Sequence, residues 1–528
     1  MCDDFVSPAG QEHSDSGIGC KEGGVDVQNS YPVVIVGAGP VGVTAATLLA
    51  QYGIRSLLLD RWADVYPQPR AVHLDDEVYR ILDRLGIGEE FTGISRPALG
   101  LRLLDPDLRV LAEFRRDPAH SRHGHPEANM FDQPVFETLL RTNLKHYPEA
   151  TLRGDSDVTH ITDLGAGRCR LRFTDRSDHT EHSVDCEYLL GCDGANSLVR
   201  KHIGATMRDL KFQQRWLVID VDAAVDLHQW SGVHQVCDPH RAGTFMQVGD
   251  TRYRWEFRLL PGESTDDFGT LTELRPLIAA WLGSTPDSDL RVIRLAEYTF
   301  RAQIADRWRR GNTFLLGDAA HLTPPFIGQG LCAGLRDAMN LSWKLAGVVN
   351  GSLPADVLDS YQQERKPHAR AMIGLALSIG HFMTAGGRAG DALRRAVLPR
   401  VHLIPGLAAR LVNSATPPLR GSALTRHGRT RGGLAGRLCP NAVTPSGARF
   451  DSLTGTGFSV VTAIPPSAEQ TALIHRRHVV VHHAEPGTVL AEWLAAGGAA
   501  AAIVRPDFTV MDAGRDLPAL CESLPVFA

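Results

Sequence analysis

The chain has 528 residues, 43% of them hydrophobic and 22% charged, and 55 Lys and Arg against 60 Asp and Glu leave a formal charge of -5. Such a composition belongs to a folded protein of several domains and excludes global disorder, collagen and coiled coil. The slight acidic excess supplies no positive field, so no nucleic-acid partner and no membrane partner is expected.

Residues 1–30 carry Asp3, Asp4, Glu12 and Asp15 without the basic start and apolar run of a secretion signal, and they read as a flexible leader. The nine cysteines are scattered, with no CxxC and no metal-ligand spacing, so free thiols, a cytoplasmic location and no metal are expected. Val33-Val34-Ile35-Val36 is a β-branched run of the buried parallel kind. A glycine cluster follows it, then a helix pattern from Val43 to Tyr52 and a second strand, Ser56 to Asp60, which together make a β-α-β unit. The runs Tyr188 to Gly191 and Thr313 to Gly317 also end at Gly and Asp, and both are placed at strand ends that face a ligand.

Between them, residues 206–294 contain alternating stretches, Trp216 to Val221 and Arg254 to Leu259, that predict an inserted antiparallel sheet. The chain looks helical over 376–420, and Gly421 to Pro440 reads as a solvated Gly- and Arg-rich linker. Two strand-like runs, Val479 to His482 and Ala501 to Val504, with a helix pattern between them, form a small α/β unit within 421–528. The reading is α/β throughout, with a discontinuous first domain over 31–205 and 295–375.

Gly37-Ala38-Gly39-Pro40-Val41-Gly42 lies between strand and helix. Gly37 suits the tight turn, Gly39 lets backbone approach a pyrophosphate, and Gly42 lets helix pack on strand, while the helix N-terminus that Pro40 opens faces the phosphate charge. Asp60, 23 residues after Gly37 and followed by Arg61, stands where a carboxylate meets a ribose. The pattern predicts a dinucleotide without separating NAD from FAD. Gly317-Asp318-Ala319-Ala320-His321, followed by Pro324-Pro325 and Gly328-Gln329-Gly330-Leu331, makes that separation. Its acid suits ribityl hydroxyls, and its glycine-rich helix start offers N–H groups to an electron-rich ring edge.

Three motifs in order, Gly37 to Gly42, Cys192-Asp193-Gly194-Ala195-Asn196-Ser197-Leu198-Val199-Arg200, and Gly317-Asp318, resemble those of the FAD-dependent single-component aromatic hydroxylases. The resemblance runs from about residue 31 to 375. It implies a Rossmann-like FAD-binding domain, an inserted antiparallel β-sheet substrate domain and a C-terminal thioredoxin-like domain, here without CxxC. It also implies that Asp318 meets the ribityl chain, that Asp193 lies near the flavin and nicotinamide routes, and that Arg70 and Gln133 flank the cofactor. Arg70-Ala71-Val72, Asp75-Asp76-Glu77, Arg254-Trp255-Glu256-Phe257 and Arg505-Pro506-Asp507 are most similar to the 3-(3-hydroxyphenyl)propionate hydroxylase branch, in which a glycine is expected where His73 stands.

The implied reaction uses NADH or NADPH to reduce FAD, traps dioxygen as a C4a-hydroperoxide and hydroxylates a phenol. His73 and Asp75 are the candidate catalytic groups, since a base must share the phenol proton. The competing reading makes His73 a local hydrogen-bonding residue and Asp75 a helix N-terminal carboxylate. Pro324, Trp255 and Phe257 are candidate substrate walls, with packing in the sheet core as the alternative for the two aromatics. His321 is read as either touching cofactor or bonding locally. Expected partners are a small aromatic substrate, dioxygen and NAD(P)H, with a homodimer possible. The same scaffold also suits tailoring of polyketides and other natural products, including Baeyer-Villiger oxidation, or a non-catalytic binding protein.

Overall fold

The computed structural model describes residues 30–67, 71–116, 121–384, 416–426 and 433–527, with isolated positions at 387, 390, 394, 395 and 398. Arg70 and the leader up to residue 29 lie outside the described residues, as does most of 385–415.

The strand Ser30–Val36 forms because four consecutive apolar residues, Val33 to Val36, are buried on both faces. It is flanked by parallel neighbours on either side, in the order Arg309–Arg310, Thr313–Leu315, Glu181–Gly191, Ser30–Val36, Ser56–Leu59, Ala150–Arg153, with only the first pair antiparallel. The helix Pro40–Ala50 packs on the helix Gly330–Val349, so the first glycine turn and the last one lie side by side. A small antiparallel sheet, His73–Asp75, Ala128–Phe131 and Ser95–Pro97, sits beside this layer.

The second large sheet is built on two long strands, Met207–Ala223 and Leu290–Ala305, which pair with each other and, through Arg252–Arg258, with Gly243–Gln247 and Val233–Val236. Its far edge is Gly100–Leu104 and Val110–Arg115, so residues 100–115 extend a sheet that the sequence placed within 206–294. The helix Leu271–Leu282, started by a Thr270/Glu273 capping box, covers one face. Leu217, Ile219, Val221, Tyr253, Trp255 and Phe257 are buried in the core beneath it.

A third unit has four strands in the order Val480–His483, Ser459–Thr462, Ala501–Val504, Val510–Gly514, the first pair parallel and the rest antiparallel. It is docked on the first unit by buried ion pairs. Glu364 accepts from Arg505 at 2.8 Å and from Lys344 at 2.7 Å, all three side chains being fully buried. Arg505 also pairs with Asp507. The segment expected to be a solvated linker departs from that reading in its described parts. Leu424, Thr425, Leu434, Ala435 and Cys439 are buried, and Ser422 and Thr425 donate to Glu364 at 2.6 and 3.1 Å. Among the described residues no helix is long and apolar enough to cross a membrane.

Candidate functional site

The glycine turn is fixed by contacts that only glycine permits. Gly37 has φ +99°, a region that L side chains rarely adopt, and a Cβ there would collide with the carbonyl of Cys192. A Cβ on Gly42 would collide with the carbonyl oxygen of Gly37. Gly39 is different, because a Cβ there would meet nothing within 4 Å. The turn therefore packs tightly on the Cys192 strand end and leaves an open cradle at the start of the helix that Pro40 begins.

Asp60 closes the turn. It accepts from the Ala38 N–H at 2.6 Å and the Trp62 N–H at 2.8 Å, while Arg61 is exposed. Arg141, on the helix Gln133–Leu144, donates to the Ala38 carbonyl at 3.2 Å, and its Nε is buried without a hydrogen-bond partner. Sequence reading missed Arg141, since no motif surrounds it. Gln133, expected beside the cofactor, is held within the protein. Its Oε1 accepts from the Ala71 N–H and its Nε2 donates to Glu137, each at 2.5 Å.

The mid-chain and late motifs meet this turn. Asp193 uses one oxygen to accept from the Leu198 and Val199 N–H groups at 2.6 and 3.1 Å. The other oxygen is buried and unpartnered, and burial raises the carboxyl above its ordinary range. Arg200 bridges the two motifs, donating to the carbonyls of Ala195 at 2.7 Å and Ala319 at 3.0 Å. Gly317, at φ +58°, is pinned by its N–H to Asp337, which leaves Asp318 exposed at the turn. His321 pairs with Asp337 at 2.8 Å, and Arg365 with its other oxygen at 2.8 Å. His321 is thus bonded locally.

After the buried Pro324, the turn Pro325–Ile327 ends at Gly328, whose left-handed φ of +62° aims its carbonyl 3.4 Å from His73 Nδ1. Gln329 precedes the helix Gly330–Val349 with its side chain turned to Asp75 and Arg336 rather than to the helix, so the N–H groups of Gly330 and Leu331 point out of the helix start. Burial, then the Arg116 charge, lowers His73 to about 4, so its ring is neutral at pH 7. Asp75 takes the structural one of its two readings. It is fully buried, accepts from the Val78 N–H at 2.9 Å as the helix N-cap, and pairs with Arg336 at 2.7 Å and Gln329 at 2.8 Å. Burial would raise its carboxyl, but Arg336 and these donors hold it below the ordinary value.

Trp255 and Phe257 are not on a substrate wall. They are 0% and 5% exposed in the core under the helix Leu271–Leu282, because strand alternation sends them to that face. The opposite face carries the aromatic group that sequence reading missed. Trp216 meets Phe300 and Phe326 at centroid distances of 6.1 Å, and Phe326 meets Phe212 at 5.6 Å. Its signal was the same alternation, taken one residue out of phase. Elsewhere, Asp163 lies 3.1 Å from His202 Nε2 and 3.7 Å from Cys169 Sγ, with Arg310 on its other oxygen.

The donor set fits a dinucleotide. Arg141 Nε and Asp193 Oδ1 are buried polar atoms without partners, and Gly39, Gly194 and Gly330 open on space.

Comparisons with known proteins agree with this geometry. Residues 30–376 match the family described as FAD binding domain. The probable NADH-specific resorcinol 4-hydroxylase of Rhodococcus jostii (strain RHA1) is 32% identical over 512 residues, 93% of each chain. The 3-(3-hydroxy-phenyl)propionate/3-hydroxycinnamic acid hydroxylase of Burkholderia cenocepacia (strain HI2424) is 32% identical over 82% of this chain and 79% of its own. Among solved structures, aklavinone-11 hydroxylase with FAD and aklavinone superposes with TM-score 0.77 at 23% identity, over 94% of this chain and 98% of that one. The p-nitrophenol 4-monooxygenase PnpA of Pseudomonas putida DLL-E4 does so with TM-score 0.67 at 24% identity, over 73% and 97%. These two structures share the fold of this chain.

Proposed function

The chain belongs to the FAD-binding-domain family, and on that premise we propose that it is an FAD-dependent, NAD(P)H-consuming monooxygenase that hydroxylates a phenolic ring. The observation that carries the reading is the meeting of three motifs remote in sequence. Gly37 packs on Cys192, and Arg200 ties Ala195 to Ala319, so the first turn, the mid-chain motif and the late motif lie side by side. Gly37, Gly39, Pro40, Gly42, Asp60, Arg61 and Arg141 would hold the adenosine and pyrophosphate end. Asp193, Gly317, Asp318, Pro325, Gly328, Gly330 and Leu331 would hold the ribityl chain and ring.

FAD, when bound and reduced by a nicotinamide nucleotide, supplies the activation of dioxygen. The protein's own part is placement and dryness. Phe326, Trp216 and Phe300 form an apolar wall that excludes water from a ring beside Gly328. The neutral His73 ring, with Nδ1 3.4 Å from the Gly328 carbonyl, can accept a hydrogen bond from a hydroxyl through its other nitrogen. Asp75 acts as a positioning residue. Its bonds to Gln329 and Arg336 tie the His73 strand to the Gly330 helix.

Resorcinol and 3-(3-hydroxyphenyl)propionate are the first substrates to test, on the names of the relatives. Incubation with NADH and air is expected to yield a hydroxylated product in step with NADH use. Hydrogen peroxide alone, with every phenol tried, would count against the reading. The likeness to aklavinone-11 hydroxylase over 94% of the chain keeps polyketide tailoring as the second reading, and turnover of a polycyclic phenol with none of a monocyclic one would favour it.

We keep 31–205 with 295–375, and 206–294, as the proposed domain limits, with residues 100–115 and the end of the strand Leu290–Ala305 carrying the second sheet across them. The strand order of the last unit, with its parallel pair followed by two antiparallel pairings, supports a thioredoxin-like domain. All seven described cysteines are free thiols, which supports a reducing, cytoplasmic setting. A homodimer is the assembly to test by light scattering.

A further inference from the structure

On the strand Arg252–Arg258, Tyr253, Trp255 and Phe257 enter the sheet core, so Arg254 and Glu256 face the other way. Register gives their neighbours. Val218 and Thr244 flank Glu256, while Asp220 and Met246 flank Arg254. One end of this face, Met246, packs with Val72 and Met130, and Met130 is the strand partner of His73. The other end, Trp216, meets Phe326, two residues before Gly328, whose carbonyl faces His73. Glu256 therefore lies between two contacts that both lead to the His73–Gly328 meeting point.

The charged groups of this face are not equivalent. Arg254 is spent on Asp220, through Nε to Oδ1 at 2.7 Å and Nη2 to Oδ2 at 3.0 Å. Its Nη1 stands 3.8 Å from Glu256 Oε1, beyond hydrogen-bond reach. The Glu256 carboxyl, on a residue only 8% exposed, accepts no hydrogen bond among the described residues. Buried carboxylates are nearly always satisfied, so one that is left open awaits a donor. Its side chain keeps 11% of its surface accessible, so it opens on a space that water can enter.

We propose that Glu256 is the hydroxyl-binding group of the substrate site, accepting a hydrogen bond from a ring hydroxyl of a phenol held against the half-buried Phe326, with the buried Trp216 backing that ring. This rests on the phenolic reading above. A carboxylate substituent is repelled here, since Arg254 is already engaged and Glu256 and Asp220 are both acids, so the group that meets this face is a hydroxyl donor. Sharing the phenol proton also enriches the ring carbons ortho and para to it, so the contact that recognises the substrate also favours oxygen transfer.

The test uses the FAD-loaded protein and reads ligand binding from the flavin absorbance change. Glu256→Leu is expected to weaken resorcinol by about tenfold, as loss of a buried hydrogen bond implies. Resorcinol dimethyl ether, which has no O–H to donate, is expected to bind both proteins alike. Glu256→Gln keeps the shape and a neutral acceptor and is expected to fall between them. FAD content and the thermal midpoint report folding, and if the Leu variant does not fold the Gln variant decides. Resorcinol affinity within about twofold of wild type in the Gln variant, or equal losses for resorcinol and its ether in the Leu variant, would overturn the proposal. Wild-type turnover of a phenol alongside that result would leave the proposed function standing. A wild type that retains FAD and binds no phenol would overturn both.

Discussion

Gly42 illustrates how far single residues were readable. Its closeness to the Gly37 carbonyl is what the glycine spacing predicts, and Gly42→Ala must push helix from strand. The variant is expected to purify with markedly less FAD and a lower thermal midpoint, and a fully yellow, equally stable protein would contradict the role. The cofactor residues were legible because they sit within a few positions of one another. Asp75 was open to two readings because its deciding partner, Arg336, is 261 positions away. Arg141 gave no signal and Glu256 stood only within the Arg254–Phe257 resemblance, without a role, since each is defined by what stands opposite it in space rather than beside it in the chain.

At the scale of elements, period-2 alternation marked Arg252–Arg258 as a strand but not which face meets the substrate. Trp255 and Phe257 were open to both pocket wall and core and are core, because the helix Leu271–Leu282 covers their side. One of the two readings of Asp75 made it a helix N-terminal carboxylate, and Asp75 does cap the helix Asp76–Leu85. The same crowding strains its neighbour. Burial, and then the charge of Asp75, raises Asp76 to about 7. A carboxyl raised in the folded state stabilises the fold at low pH, and that contribution is lost as pH rises from about 4 through about 7. Asp76→Asn is therefore expected to gain stability over wild type across that window, with a constant gain above it. Thermal midpoints measured from pH 4 to pH 9 check this, and a gain that shrinks with rising pH would refute it.

For the whole molecule, the order of units was readable from strand and helix patterns, whereas the docking between them was not. Arg505-Pro506-Asp507 was a resemblance without a role. In the fold, Arg505 reaches Glu364 on the helix Asp359–Thr384, and Arg80 reaches Asp451 at 2.6 Å. Polar pairs between remote segments leave no periodic trace, which is also why the buried stretch around Leu424 and Cys439 looked like linker. Glu364→Gln leaves Arg505 and Lys344 short of a counter-charge in a buried site, and a loss of about 3–5 kcal/mol is expected. Urea unfolding monitored through Trp343, which packs on Phe458 across this junction, would show it. An unchanged midpoint would mean that apolar contacts alone hold the domain. The proposed reaction places one oxygen atom from dioxygen on a phenol. The most direct measurement is turnover of resorcinol and NADH under isotopically labelled dioxygen, with mass analysis of the product. One labelled oxygen atom per product molecule, with none acquired from labelled water, is predicted. Label acquired from water, or a phenol recovered unchanged while NADH is consumed, would contradict it.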